Sequence, residues 1–309
     1  MLQPEEVVRR LRESGSLWDV APGVSGLRGS VVSLRGEIED AMTDLARAET
    51  PNEWVAPSGV SFETLERAQY FSSFPQWLTT ASHLSGDEAA LQAIASSESP
   101  GRAARATRGT AEIALPPAVC YNTYAAHADS TIEAPLLMTA QGTCWRHEGD
   151  HRSALERGWA FTMREIVCLG AEWDVKMLLD RGVERASSLA AKLGLETEIV
   201  VASDPFFAPS ARGRAALQRI KGLKHELAFR FPDGRPLAIA SFNDHEKFFG
   251  DAFAISLADG TSASSGCVAF GLERWLLAVL VTHGVNPADW PLGVHAHSPP
   301  HSHSGAIGI

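Results

Sequence analysis

Cysteine is scarce in this chain, with four residues, Cys120, Cys144, Cys168 and Cys267, scattered along 309 positions. So few and so widely spaced thiols exclude the disulfide framework of a small secreted domain and fit a reducing compartment. Long apolar runs are missing as well. None approaches the roughly eighteen residues of a membrane-spanning helix, and Met1 to Arg12 carries charge from the start, unlike a secretory leader. The expectation is a cytoplasmic protein with no membrane association. Net positive charge is also absent. The formal balance is −10, whereas a surface that neutralises an RNA backbone concentrates lysine and arginine on one face. The basic cluster at Gly101–Gly109 (GRAARATRG) is short, so the charge argues against tRNA as a partner.

What the chain does hold is enough apolar sequence for a large core: 45% of residues are hydrophobic and 21% charged, the balance of a globular enzyme. Periodicity predicts a short amphipathic helix over Met1–Glu13. A second, over Arg35–Thr50, puts Ile38, Met42, Leu45 and Ala46 on one stripe, and Pro51 stops it. Further helices are expected over Asp87–Ser97 and over Trp173–Leu193, the latter with Val175, Leu178, Leu179 and Val183 inward. Glu98–Gly109 reads as a loop broken by Pro100 and Gly101, and Leu115–Tyr124 as a segment entering a sheet. Residues 223–259 read as hairpin strands turning at Pro232–Pro236, PDGRP. Runs of strands with helices on one side indicate an antiparallel α+β domain. From Pro291 the composition shifts to Pro, Gly, Ser and His, including His295, His297, His301 and His303; 291–309 is expected to be a flexible tail without a catalytic role.

The most informative stretch is Thr143–Gly170, TCWRHEGDHRSALERGWAFTMREIVCLG. Its residues alternate from Trp159 to Val167 as a strand does, so Phe161, Met163 and Glu165 share one face. Arg146 and Glu148 close the preceding run, and Arg157 opens the next. An aromatic ring, arginine forks and a carboxylate on two antiparallel strands suit a nucleotide. In Ser264–Pro287 a glycine-flanked strand passes into an apolar helix at Gly271, with Arg274 in the first turn. A guanidinium is planar, permanently charged and weakly hydrated, so it can both stack on a base and grip phosphate.

These two stretches resemble motifs 2 and 3 of class II aminoacyl-tRNA synthetases. Within that class the chain resembles the amino acid:[carrier protein] ligases, truncated relatives of the zinc-dependent seryl-tRNA synthetases. Seven segments carry the resemblance, in the family's order: Phe71–Leu78 (FSSFPQWL), Leu115–Tyr124 (LPPAVCYNTY), Phe161–Gly170 (FTMREIVCLG), Ala202–Phe207 (ASDPFF), Leu223–Leu227 (LKHEL), Ser241–Gly250 (SFNDHEKFFG) and Gly266–Arg274 (GCVAFGLER). The resemblance implies one catalytic domain over 1–290, α+β, with a class II antiparallel sheet flanked by helices. It also implies a homodimer built on a motif 1-like region at about 51–80.

The resemblance further implies a set of site residues. Cys120, Glu165 and Cys267 would hold a zinc ion; taken alone, the cysteines read as small buried hydrophobes and Glu165 as the partner of Arg164. Three protein ligands leave one zinc position open for a neutral α-amino group. Arg146 and Arg274 are the expected catalytic residues. The ATP pocket would comprise Arg146, Glu148, Arg157, Gly158, Phe161, Lys224, Ile239, Ala240, Ser241 and Arg274, with Mg2+ on the phosphates. Glu165, Ser203 and Asp204 would bind the amino acid. The implied reaction activates a small amino acid, glycine or alanine, as an adenylate and passes it to the phosphopantetheine thiol of a carrier protein. The helix Trp173–Leu193, with Lys176, Arg181 and Arg185, is the expected docking face for that acidic partner. The chain departs from the family in ASDPFF and in RHEG (Arg146–Gly149). Three other readings stay open: a serine-type aminoacyl-tRNA synthetase relative, a non-catalytic amino-acid-binding paralogue, and amide formation on a small molecule.

Overall fold

The computed structural model describes residues 1–84, 87–207 and 212–291, so the histidine-rich stretch predicted as a tail lies outside the described residues. In chain order the main elements are α1 (Pro4–Glu13), α2 (Ser30–Arg47), β1 (Asn52–Val55), α3 (Cys120–Ala126), β2 (Leu136–Trp145), β3 (Ala160–Gly170) and α4 (Glu172–Lys192). There follow β4 (Thr197–Val201), α5 (Arg212–Lys221), β5 (Lys224–Arg230), β6 (Pro236–Asp244), α6 (Phe248–Phe253), β7 (Ser264–Gly271) and α7 (Leu272–His283). The strands form one sheet in the order β4-β5-β6-β7-β3-β2-β1. Every pairing is antiparallel except β1 with β2. The predicted α+β class is the observed one.

Side-chain alternation along β3 and β7 sorts the molecule into layers. Ile166, Cys168, Val268 and Phe270 point to one face, where α1, α2, α4 and α7 bury Leu11, Ile38, Leu178 and Leu276 in a single core. Glu165, Val167, Leu169 and Cys267 point to the other, where α3 and α6 bring Cys120, Tyr124, Phe249 and Phe253. Strands covered on both faces are apolar throughout, which is why VCLG and CVAFG lack the simple period of two.

Three expected elements differ. Pro100 opens a helix, Pro100–Ala106, instead of breaking a loop, because a first-turn residue has no helical partner for the N–H that proline lacks. Of Leu115–Tyr124 only the start is strand: Ile113–Leu115 joins a separate three-stranded sheet with Val60–Ser61 and Thr79–Ala81, and α3 begins at Cys120. The hairpin β5–β6 turns as predicted, with Gly234 at φ +85°, but α6 interrupts the 223–259 strand run.

The basic face of α4 has an internal use. Arg181 and Arg185 both donate to Glu49, which is 7% exposed, and Lys176 pairs with Asp180 at 3.1 Å. Arg181 and Arg185 fasten α4 to the segment after α2, while the Lys176 pair lies within the helix. Among the described residues no helix is long and apolar enough to cross a membrane.

Gly250 shows why a glycine ends SFNDHEKFFG. A Cβ there would lie 2.0 Å from the Ala263 carbonyl oxygen and 2.8 Å from Ser262 Oγ, and backbone cannot yield that far. Gly250→Ala is expected to cost about 1–3 kcal/mol of stability by overpacking. Thermal unfolding checks it, and an unchanged Tm would disprove the close approach.

Candidate active site

The β2–β3 hairpin pairs from Leu136 opposite Leu169 to Trp145 opposite Ala160, and its connecting loop carries Arg146, Glu148, Arg157 and Gly158 to one cavity. Arg146 is locked there. Its Nε donates to the Pro117 carbonyl at 2.8 Å, and its guanidinium carbon lies 5.5 Å from the Trp77 ring and 5.4 Å from the Phe161 ring. Two cation–π contacts and the carbonyl hydrogen bond together restrain the fork. Arg157 pairs with Glu148 at 2.8 Å. Gly158 has no room for a side chain, since a Cβ would lie 2.5 Å from the Ala160 carbonyl. Arg274, in the first turn of α7, donates to the carbonyls of Glu156 (2.9 Å) and Ala238 (3.0 Å). Burial pushes its pKa down, but a guanidinium stays charged at neutral pH.

A cluster of acidic donors forms another wall of the same cavity. Ligand atoms of Cys120, Glu165 and Cys267 all lie within 4.8 Å of one another, and all three residues are buried. Sheet register places two of them: Glu165 faces Ala269 across β3–β7 while Cys267 faces Val167, so the two side chains are diagonal neighbours on one face. The third comes from α3. The amides of Val119 and Cys120 donate to the Glu165 carboxylate at 2.9 and 3.2 Å, tying that helix start to the sheet. Asn243, opposite Cys267 on β6, donates to its Sγ at 3.4 Å.

Proximity perturbs every member. Burial, then the charge of Cys267, pushes Glu165 up to about 7. The Cys120 thiol is raised by its hydrogen bond to Cys267 and by burial, while Cys267 is held down by hydrogen bonds from Cys120, His245 and Asn243 acting against burial. Two thiols and a carboxyl crowded without a cation resist full ionisation, and a divalent ion would relieve that. The donor set fits a thiophilic metal ion with three protein ligands.

Of the other predicted residues, Phe161, Lys224, Ile239, Ala240, Ser241 and Asp204 also line the cavity. Ser203 does not; its Oγ accepts from Arg219 at 2.8 Å. Lys224, expected at the nucleotide, is bound to Asp204 at 2.5 Å. Burial would raise the Asp204 carboxyl, but Lys224 and Gln218 outweigh it and hold it below the ordinary range. Tyr70, Trp77, Tyr121, Asn243, His245 and Phe249 line the cavity without having been singled out. All but Tyr70 lie in segments already quoted for the resemblance, and Tyr70 immediately precedes one.

No protein-family model matches the chain. The fold matches the Methanopyrus kandleri seryl-tRNA synthetase, solved in complex with Aquifex aeolicus tRNASec, with a TM-score of 0.81 at 20% identity, over 93% of this chain and 58% of that one. Fold and site thus define a class II synthetase-like protein. Amino acid–[acyl-carrier-protein] ligase 1 of Bradyrhizobium diazoefficiens is 35% identical over 257 residues, covering 82% of this chain and 78% of that one. Ligase 2 of the same organism is 33% identical over 277 residues, covering 88% and 82%. The chain belongs to the amino acid–[acyl-carrier-protein] ligase family and is an enzyme of that type.

The raised Glu165 has a signed consequence. Its carboxyl holds a proton more tightly folded than unfolded, so its contribution is fully present below about pH 4.5 and is lost as pH rises through about 7. In chelator-stripped protein, the Tm of Glu165→Gln minus that of wild type is expected to climb across this window. A flat difference would contradict the buried, crowded carboxyl.

Proposed function

We propose that this enzyme uses ATP to activate glycine or alanine as an aminoacyl-adenylate, then transfers the aminoacyl group to the phosphopantetheine thiol of an acyl carrier protein. The supporting observation is that the Cys120–Glu165–Cys267 donor set and Arg146, Arg157 and Arg274 line one cavity. Zinc held by those three donors would offer a Lewis-acidic position to a neutral α-amino group, favouring amino acids over hydroxy acids.

In the first step the substrate carboxylate attacks the α-phosphorus of ATP, taken as its Mg2+ complex, and pyrophosphate leaves. The nucleophile is already an anion, so no general base is needed and catalysis rests on placement and charge. Arg146, restrained by the Trp77 and Phe161 rings and the Pro117 carbonyl, bridges carboxylate and α-phosphate. Arg274 and Arg157 take the β and γ phosphates, while Gly158, Phe161, Ile239, Ala240 and Ser241 line the nucleotide's path and Glu148 meets the adenine edge. Two backbone carbonyls already hold Arg274, so little reorganisation is required when the phosphates arrive. Lys224 and Asp204 act as one unit at the amino acid end. In the second step the carrier thiol attacks the adenylate carbonyl, a thioester forms and AMP departs. The relatives named as carrier-protein ligases support this acceptor over tRNA. A homodimer joined near β1 accords with that strand's place at the sheet edge and with Val55, which is 96% exposed.

Amino-acid-dependent ATP–pyrophosphate exchange, followed by parallel charging of a carrier protein and of tRNA, tests this reading. Glycine or alanine with carrier thioester is expected; serine with charged tRNA would favour the synthetase alternative. Cys267→Ala is expected to lose stoichiometric zinc and to slow exchange by about 100-fold or more. A variant that retains full exchange without zinc would remove the metal from the scheme.

A further inference from the structure

Tyr70 is 2% exposed, yet its hydroxyl has no hydrogen-bond partner among the described residues. A buried hydroxyl left unpaired is a standing cost to the fold, and such a group persists where something else supplies the partner. Its surroundings point to that partner. The ring forms part of the cavity wall, edge-on to Tyr121 with centroids 5.7 Å apart and tilted against Phe74 at the same distance. The preceding residue, Gln69, is held in the left-handed region at φ +53°, a conformation that a non-glycine residue adopts only where the surrounding structure imposes it. The charge of Arg146 reaches the hydroxyl as well.

We propose that the Tyr70 hydroxyl donates a hydrogen bond to the carboxyl group of the bound amino acid, beside Arg146. This rests on the functional reading above and adds a substrate-contacting residue to it. One carboxylate oxygen attacks phosphorus; Tyr70 holds the other, which becomes the acyl oxygen of the adenylate. No proton is transferred, and burial, by pushing the phenol up to about 12, keeps it a donor throughout.

Tyr70→Phe keeps the ring and deletes the hydroxyl. In pyrophosphate exchange its kcat/KM for the amino acid is expected to fall roughly three- to tenfold, with KM for ATP unchanged. Its Tm should equal or exceed that of wild type, because an unpaired polar atom has left the interior. Unchanged amino acid kinetics would overturn the proposal. So would a rise confined to KM for ATP, which assigns the hydroxyl to phosphate, or a fall in Tm, which assigns it a partner within the protein. If wild type shows no amino-acid-dependent exchange, the functional reading itself has failed.

Discussion

Two thiols and a carboxyl are pressed together where water cannot dilute their charge, and much of this structure follows from holding them there. Cys120, Glu165 and Cys267 come from α3, β3 and β7, elements far apart in the chain. A one-residue slip of β7 against β3 would turn Cys267 to the helix-packed face and destroy the cluster. The register is secured from that opposite face, where Val268 and Phe270 are sealed under α4 and α7. The large core therefore serves the site by fixing one strand pairing. On the near side α6 and α3 meet through stacked Tyr124 and Phe249, with centroids 4.2 Å apart, closing the cluster from solvent.

The fold and the arginine-lined half of the cavity were legible because they rest on local patterns. Alternation in Phe161–Val167 placed β3, and the glycine-to-helix transition at Gly271 placed Arg274. Arg146 and Arg274 reach the expected cavity. The Cys120–Glu165–Cys267 cluster was not legible from spacing, since three residues on three distant elements leave no periodic trace; only the resemblance brought them together. Pro100 misled because proline breaks a helix interior and starts a helix equally well, and nothing local distinguishes the two. Arg181 and Arg185 have a structural role that no local pattern shows, because their partner Glu49 lies more than a hundred residues away in sequence. Ser203 lies beside Asp204 in a family segment, but its hydroxyl accepts from Arg219 and of the two only Asp204 lines the cavity.

The arginines divide by how they are neutralised. Arg9, Arg47, Arg67, Arg181, Arg230 and Arg235 meet carboxylates. Arg146 and Arg274 are held instead by carbonyl oxygens and aromatic faces, which fix their direction without cancelling their charge. A buried cation left in that condition is costly unless an anion arrives, so the cavity's cationic wall is complementary to phosphate and carboxylate. Its other wall, rich in thiols and a carboxyl, is complementary to a cation and, through it, to an amine. A cavity polarised in this way matches the two ends of an amino acid beside a triphosphate.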